Sequence, residues 1–374
     1  MIYLDYAASA PPFPQVADRV HQVMTQCYGN PGAIHAAAAE GRGILQESRR
    51  TLAKLLKVRE QEIFFTSGGT EANNWAVKLG CRNGERRHIL VSATEHKSVL
   101  ESANAMKTLG YRVSLLSPNR DGLITPEALQ AALQPDTALV CVQAVNNETG
   151  VMQDVAALAA LARKNGSRFL CDGVQSFDHT QQPLNKADFI SLSAHKLGGP
   201  RGVGCLVIRY PNTLPPFIDG GGQELSLRSG TENTAGIAGF ALAAQLSAEL
   251  LEAETARLAA LTSAFAQKLA AISPLIQLNA ADAPRYPGIL NFRFPGLASE
   301  EMVMWLDLKG ICTSPGAACA ARDKSPSHVL LAMGLSDSEA KESVRFSIGR
   351  LTTEAELDTA AQCIGEIWNT RRKP

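Results

Sequence analysis

Two periods of apolar residues run along this chain. Short apolar stretches recur at residues 62–65, 88–92, 111–116, 138–145, 168–171, 189–192 and 203–208, each with the length and composition of a buried strand. Helical spacing separates most of them, over 14–27, 35–56, 72–79, 125–133 and 155–165. Strands alternating with helices predict an α/β fold, a mostly parallel seven-stranded sheet with helices on both faces. Residues 235–272, rich in Ala and Leu, predict one long helix or two consecutive ones. Beyond them the pattern becomes a smaller α+β unit: a strand over 288–294, a helix over 299–308 with Ser299 as its N-cap, a short helix over 327–333, a strand over 343–348 and a last helix over 352–368. Residues 1–12 are too short to stand alone and are expected to pack against something distant in sequence. The division expected is a large domain over 13–257 and a small one made of 1–12 and 258–374.

In a parallel sheet ligands bind beyond the carboxyl ends of the strands. The residues at those ends carry chemistry. Glu95-His96 follow the run at 88–92, Asn146-Asn147-Glu148 the run at 138–145, Asp172 and Gln175 the run at 168–171, and Ser193, His195 and Lys196 the run at 189–192. Together they are expected to line one pocket edge. The stretch 191–204 reads as a strand, a glycine-rich tight turn and another strand, with Lys196 at the mouth. A desolvated lysine in such a place forms Schiff bases. Thr66-Ser67-Gly68-Gly69-Thr70-Glu71 lies between a strand and a helix, where free backbone N–H groups and the helix dipole favour a phosphate. No lysine follows these glycines, so the stretch is not a P-loop.

Composition narrows the function. Among 374 residues, 36 basic and 36 acidic ones cancel, which argues against a polybasic surface for nucleic acid or membranes. No uninterrupted apolar run approaches the ~18 residues of a membrane span, and Met1-Ile2-Tyr3-Leu4-Asp5 has no signal-like character. The cytoplasm is the expected location. The eight cysteines are scattered, with no C-x-x-C pair and no histidine at metal-ligand spacing, so neither a metal site nor a disulfide framework is expected. Cys141, Cys171 and Cys205 read as core residues, Cys363 falls in a helical pattern, and Cys312 and Cys319 flank a loop of small residues.

Several of these stretches together resemble the NifS-type cysteine desulfurases, pyridoxal-phosphate (PLP) enzymes of the class V aminotransferase family. The resemblance runs from Tyr3-Leu4-Asp5-Tyr6-Ala7-Ala8 through the 66–71 stretch, Ala93-Thr94-Glu95-His96, Val145-Asn146-Asn147-Glu148-Thr149-Gly150, Asp172-Gly173-Val174-Gln175, Ser193-Ala194-His195-Lys196 and Arg228-Ser229-Gly230-Thr231 to Val344-Arg345-Phe346-Ser347-Ile348-Gly349-Arg350. It implies a PLP-dependent transferase of fold type I. Lys196 would hold PLP as a Schiff base and later move protons. Asp172 would pair with the pyridine nitrogen, and His96 would stack on the ring and relay a proton. Gln175 and Asn147 would bond the phenolic oxygen. Gly69, Thr70, Ser193 and His195 would hold the phosphate, and Thr231 would reach the phosphate of a second subunit in a homodimer. Arg345, with Asn147, would bind the substrate carboxylate.

Cys319 matches the family's nucleophile, in a loop expected to be mobile, whereas Cys312 reads as a packing residue. A free thiol has a pKa of about 8.5, and Arg322 and Lys324 would favour its thiolate. The implied activity converts L-cysteine to L-alanine and leaves the sulfur on Cys319 as a persulfide for an acceptor protein. Where many relatives read Ser-Gly-Ser-Ala-Cys-Thr-Ser, this chain has Pro315-Gly316-Ala317-Ala318-Cys319-Ala320-Ala321-Arg322. The acceptor is therefore open between iron–sulfur cluster assembly, tRNA thiolation and DNA sulfur modification. The other readings are a selenocysteine lyase or another PLP-dependent lyase or aminotransferase on the same fold and, from a different class, a non-catalytic module that docks a sulfur carrier.

Overall fold

The seven strands expected from the apolar runs pair into one sheet in a computed structural model, which describes residues 1–177, 179–211, 214–316 and 325–372. The chain opens with β1 (Ile2–Tyr3), α1 (Pro14–Gln26) and α2 (Ala36–Leu56). Then come β2 (Ile63–Thr66), α3 (Gly69–Gly80), β3 (His88–Ser92), α4 (Lys97–Met106), β4 (Arg112–Leu116), α5 (Pro126–Ala132), β5 (Thr137–Cys141), α6 (Val155–Lys164), β6 (Arg168–Asp172), β7 (Phe189–Ser193) and β8 (Gly204–Ile208). The sheet order is β2-β8-β7-β6-β5-β3-β4. Neighbours from β4 to β7 are parallel, and β8 alone runs against both of its neighbours. One edge of the sheet therefore collects the carboxyl ends of six strands and the start of β8.

Side chains alternate across the strands and fill both faces. Val140, Phe169 and Cys171 pack with Leu52 of α2, Leu129 of α5 and Leu158 of α6. On the other face Leu139, Cys141 and Leu170 pack with Trp75 of α3 and Val99 of α4. Cys205 is buried as well, so the three cysteines expected in the core are there.

After β8 the stretch 235–272 is a single helix, α7 (Thr234–Ile272), of 39 residues. Its first half gives Ile237 and Phe240 to the sheet core, and its second half gives Leu258, Phe265 and Leu269 to another core. Among the described helices α7 alone has the length and composition to cross a membrane, and half of its most apolar window is buried inside the protein. The remainder comprises β9 (Gln277–Leu278), β10 (Ile289–Arg293), α8 (Ser299–Leu308), β11 (Ile311–Cys312), α9 (His328–Ala332), α10 (Asp337–Lys341), β12 (Ser343–Ser347) and α11 (Glu354–Arg371). Strands β12, β10 and β9 form an antiparallel sheet, while β1 pairs in parallel with β11. Leu4 and Ala7 join the core of this part, beside Phe292 and Phe346. The first residues are thus tied to a segment more than three hundred positions away.

Three local expectations change. Helix α3 starts at Gly69, earlier than the apolar spacing indicates, because Gly68 takes a backbone conformation (φ 154°, ψ −175°) open to glycine and places the turn directly on the helix. Helix α4 was not expected. Its N-cap is a histidine, His96, whose side chain accepts from the Ser98 N–H, and histidine is not among the usual cap signals. Finally Ala298, not Ser299, precedes the first turn of α8, and no side chain caps it.

Candidate active site

A cavity of about 200 Å³ lies at the carboxyl edge of the sheet. Ala7 and Ala8 of the N-terminal segment and Arg345 of β12 form its outer wall. Among the described residues, every one given a role toward cofactor or substrate lines it, with one exception, Thr231. Thr231 is exposed, on the stretch before α7. Cys319 lies outside the described residues.

At one end the β2–α3 turn packs tightly on β8. A methyl group built on Gly204 would stand 2.8 Å from Gly68 Cα and 2.3 Å from the Leu192 carbonyl oxygen. This close packing brings Gly69 and Thr70, in the first turn of α3, to the cavity beside Ser193 and His195. The first N–H groups of a helix have no partner within it. Glu71 in the same turn would repel an anion, but Arg228 grips it with a pair of bonds at 2.8 and 3.1 Å. Burial acts to raise the Glu71 carboxyl, and the bonds from Arg228 and Ser67 outweigh it, so it stays below the ordinary glutamate value. His195 is pushed down to about 4 by burial, with Lys196 and Arg201 adding to the effect, so it is neutral at pH 7 and offers an N–H.

Asp172 lines the same cavity. Its Oδ1 accepts from the Val174 N–H at 3.0 Å and its Oδ2 from Asn73 Nδ2 at 2.7 Å. The Asn73 amide also donates to Ser98 Oγ at 2.9 Å, and Ser98 Oγ lies 2.8 Å from His96 Nδ1. Because Nδ1 also accepts from the Ser98 N–H, at 3.1 Å, neutral His96 carries its proton on Nε2. One chain of bonds therefore sets both Asp172 and His96.

Lys196 sits in a single turn of 3₁₀ helix, Ala194–Lys196, after β7. Its Nζ donates to the carbonyls of Ala7 at 2.5 Å and Ala8 at 2.9 Å, and Gln175 Nε2 donates to Ala7 at 2.8 Å. The amide of Gln175 keeps a second N–H for a ligand. Across the cavity Arg345 is 1% exposed. Its Nη2 bonds Asp5 Oδ1 at 2.7 Å and its Nη1 the Asn147 carbonyl at 2.9 Å, while its Nε has no partner among the described residues.

Three residues expected on the pocket edge, Glu95, Asn146 and Glu148, do not line it. Asn146 closes its own turn, with Oδ1 accepting from the N–H groups of Glu148 at 2.9 Å and Thr149 at 2.8 Å, so that only Asn147 reaches the cavity. Glu95 is buried beneath the site, where Oε1 accepts from the Gln143 N–H and Oε2 has no partner among the described residues. Burial, with the charge of Asp172 second, holds its carboxyl well above the usual range. Cys312, on β11, is half-buried, and burial raises its thiol, which suits a packing role better than a nucleophilic one. Among the described residues no group of His, Cys, Asp and Glu could hold a metal ion.

Residues 2–359 match the family model for class-V aminotransferases. The chain belongs to that family. It is 39% identical over 372 residues to the cysteine desulfurase IscS of Anaeromyxobacter dehalogenans, an alignment covering 98% of this chain and 92% of that protein. Among solved structures a NifS-like protein matches with a TM-score of 0.91 at 31% identity over 99% of both chains. SspA, solved in complex with cysteine, matches with a TM-score of 0.83 at 32% identity, over 94% of this chain and all of that one. The resemblance to NifS-type desulfurases and the fold type expected from it are both borne out.

Class-V enzymes use PLP, and the donors present fit that cofactor. Backbone N–H groups, a hydroxyl and a neutral imidazole suit a phosphate, a carboxylate with spare lone pairs suits a ring N–H, and an amine lines the same cavity. Sequence reasoning missed Asn73, Ser98 and Asp5. Asn73 meets Asp172 and Ser98 across 99 and 25 positions and Asp5 meets Arg345 across 340, so their roles depend on partners that the local sequence does not show.

Proposed function

We propose that this chain is a PLP-dependent cysteine desulfurase, which converts L-cysteine to L-alanine and retains the sulfur on Cys319 as a persulfide. The observation that carries this reading is one cavity holding Lys196, Asp172, His96, the Gly69–Thr70 turn and Arg345 together. Gly69, Thr70, Ser193 and His195 would hold the phosphate, Asp172 the ring nitrogen, Gln175 and Asn147 the phenolic oxygen, and Lys196 the reactive carbon. Bound there, PLP supplies an electron-accepting ring that acidifies the Cα–H bond of the amino acid.

The protein's own groups do the rest. The guanidinium of Arg345 orients the substrate carboxylate. Lys196 Nζ accepts the Cα proton. The Cys319 thiolate attacks the substrate sulfur, so that an S–S bond forms as the Cβ–S bond breaks. Cβ keeps the electron pair and takes a proton to become the methyl of alanine. Enzyme thiol and cysteine become enzyme persulfide and alanine, with no outside oxidant. His96 exchanges protons at this step through its Nε2. In this reading the exposed Thr231 reaches the phosphate in a second subunit of a homodimer, and an acceptor protein takes the sulfur onward. The seven described cysteines are all free thiols, which fits a reducing compartment such as the cytoplasm.

The test uses purified protein supplied with PLP and L-cysteine. The expected result is visible absorbance from bound cofactor, alanine, and a persulfide on Cys319. Lys196→Ala should abolish turnover, and Cys319→Ala should keep the cofactor colour but form no persulfide. A Cys319→Ala protein that desulfurates L-cysteine at the parental rate would sink the nucleophile assignment.

A further inference from the structure

Glu148 follows the pocket residue Asn147, is buried, and takes no part in the steps above. Its backbone is fixed on both sides, since its N–H donates to Asn146 Oδ1 at 2.9 Å and its carbonyl accepts from Asn291 Nδ2 at 3.3 Å. Its carboxylate meets both described flanks of the 317–324 segment. On the far flank Ser327 Oγ donates to Glu148 Oε2 at 2.5 Å. On the near flank Gly316 lies so close that a methyl group built on it would stand 3.3 Å from the same oxygen.

Neighbouring bonds hold the same two flanks to the cavity wall. Ser314 exchanges backbone bonds with Arg345, at 3.3 and 2.8 Å, and its hydroxyl donates to the Gly316 carbonyl at 2.7 Å. His328 Nε2 donates to the carbonyl of Glu95, the residue before His96, at 2.9 Å. One carboxylate oxygen is thus the point at which the flanks converge, between the residues assigned to the substrate carboxylate and those assigned to the ring.

We propose that Glu148 is a positioning residue for sulfur transfer: it clasps Ser327 and abuts Gly316, and so fixes the base from which the nucleophilic thiol works. The inference rests on the reading of Cys319 as nucleophile. A bond from a hydroxyl to a buried carboxylate is one of the stronger kinds. Losing it removes the direct link between the flanks, which then depend on the Ser314 and His328 bonds alone, while Lys196, Asp172 and the phosphate donors keep their own partners. The clasp therefore acts on the second half of the reaction and not on the first.

The two halves can be measured separately in the full-length, PLP-loaded enzyme. Exchange of the Cα hydrogen of L-alanine with solvent deuterium reports Lys196 and the cofactor without the thiol. Single-turnover persulfide formation from L-cysteine reports sulfur transfer. In Glu148→Ala the exchange rate should stay within about twofold of the parent and persulfide formation should fall about tenfold or more. Ser327→Ala should behave alike, the pair should be no worse than the poorer single variant, and Ser327→Thr, which restores the hydroxyl, should recover the parental rate. Should Glu148→Ala fail to fold, the Ser327 variants carry the same comparison. Persulfide formation at the parental rate, or a parallel fall in both rates, would overturn the clasp. Cys319→Ala in the same assay separates the two readings: persulfide formed without Cys319 defeats the nucleophile assignment, whereas a silent Cys319→Ala beside a fully active Glu148→Ala defeats the clasp alone.

Discussion

Asp5 and Arg345, 340 positions apart, meet at 2.7 Å and join the two ends of the chain beside the cavity. The Arg345 side chain is 1% exposed and that of Asp5 19%, so the pair is shielded from water. Removing one member of a shielded pair leaves a buried charge without its counterion, and this costs more than the intact pair contributes. Asp5→Ala should lower the unfolding free energy by about 2 kcal/mol or more, and Arg345→Leu added to it should return part of that loss. Urea unfolding of the two variants checks it. A double variant as unstable as the sum of its parts would show that the pair does not act as a unit.

The next link to test is Asn73, which donates to both Asp172 and Ser98. Asn73→Ala removes the donor to Asp172 Oδ2 inside the protein, where an unsatisfied acceptor costs about 1–3 kcal/mol. With Asp172 free to turn, PLP should leave about tenfold faster, since 1.4 kcal/mol is a factor of ten. The decay of cofactor absorbance after dilution measures this rate. Dissociation at the parental rate would mean that the Val174 N–H alone holds Asp172.

Much of this arrangement is legible in the sequence. The sheet was readable because its strands are short apolar runs bounded by turn residues, and the carboxyl-edge rule then placed Asp172, Ser193 and Lys196 on one side of it. What failed to show was whatever depends on a single residue step or a distant partner. Asn146 and Asn147 are alike in sequence, yet one closes a turn and the other faces the cavity. Glu95 and His96 differ in the same way, since a carboxylate beneath the site and an imidazole on its wall are adjacent residues. The helix after His96 was hidden because an imidazole took the place of a usual cap.

Gly202, in the turn before β8, and Gly204, at the start of β8, make a graded test of the phosphate end. Gly204 has no room for a side chain, since a methyl group would meet the Leu192 carbonyl and the backbone of Gly68, and neither can move without shifting the sheet. Gly202, with φ 79°, has nothing within 4 Å of the same position. Gly202→Ala should cost only the strain of the left-handed backbone, about 1–2 kcal/mol, and should keep the cofactor. Gly204→Ala should cost about 3 kcal/mol or more and weaken PLP binding, because the shift falls on Gly68 and the first turn of α3. Thermal unfolding with and without PLP distinguishes them, and equal losses at the two positions would contradict the close packing of β8 on that turn.

Glu95 makes stability depend on pH in a direction that can be worked out. Burial, and after it the charge of Asp172, raises its carboxyl above the usual range, and the two thiols nearest to it, Cys141 and Cys171, are themselves raised by burial and stay neutral. The unfolded chain releases the Glu95 proton near the ordinary value of about 4.3, whereas the folded protein keeps it to higher pH. Over that window the folded state binds more protons, so this group's contribution to stability declines as pH rises from about 4 toward its folded pKa, at up to 1.4 kcal/mol per pH unit. Glu95→Gln keeps an oxygen for the Gln143 N–H and has no proton to lose. Relative to the parent it should be about equal in stability at pH 4 and more stable at pH 7. Urea unfolding midpoints of both proteins at the two pH values test this. A difference that stays flat with pH would mean that Glu95 is ionised in the folded protein and that its Oε2 has found a partner other than its own proton.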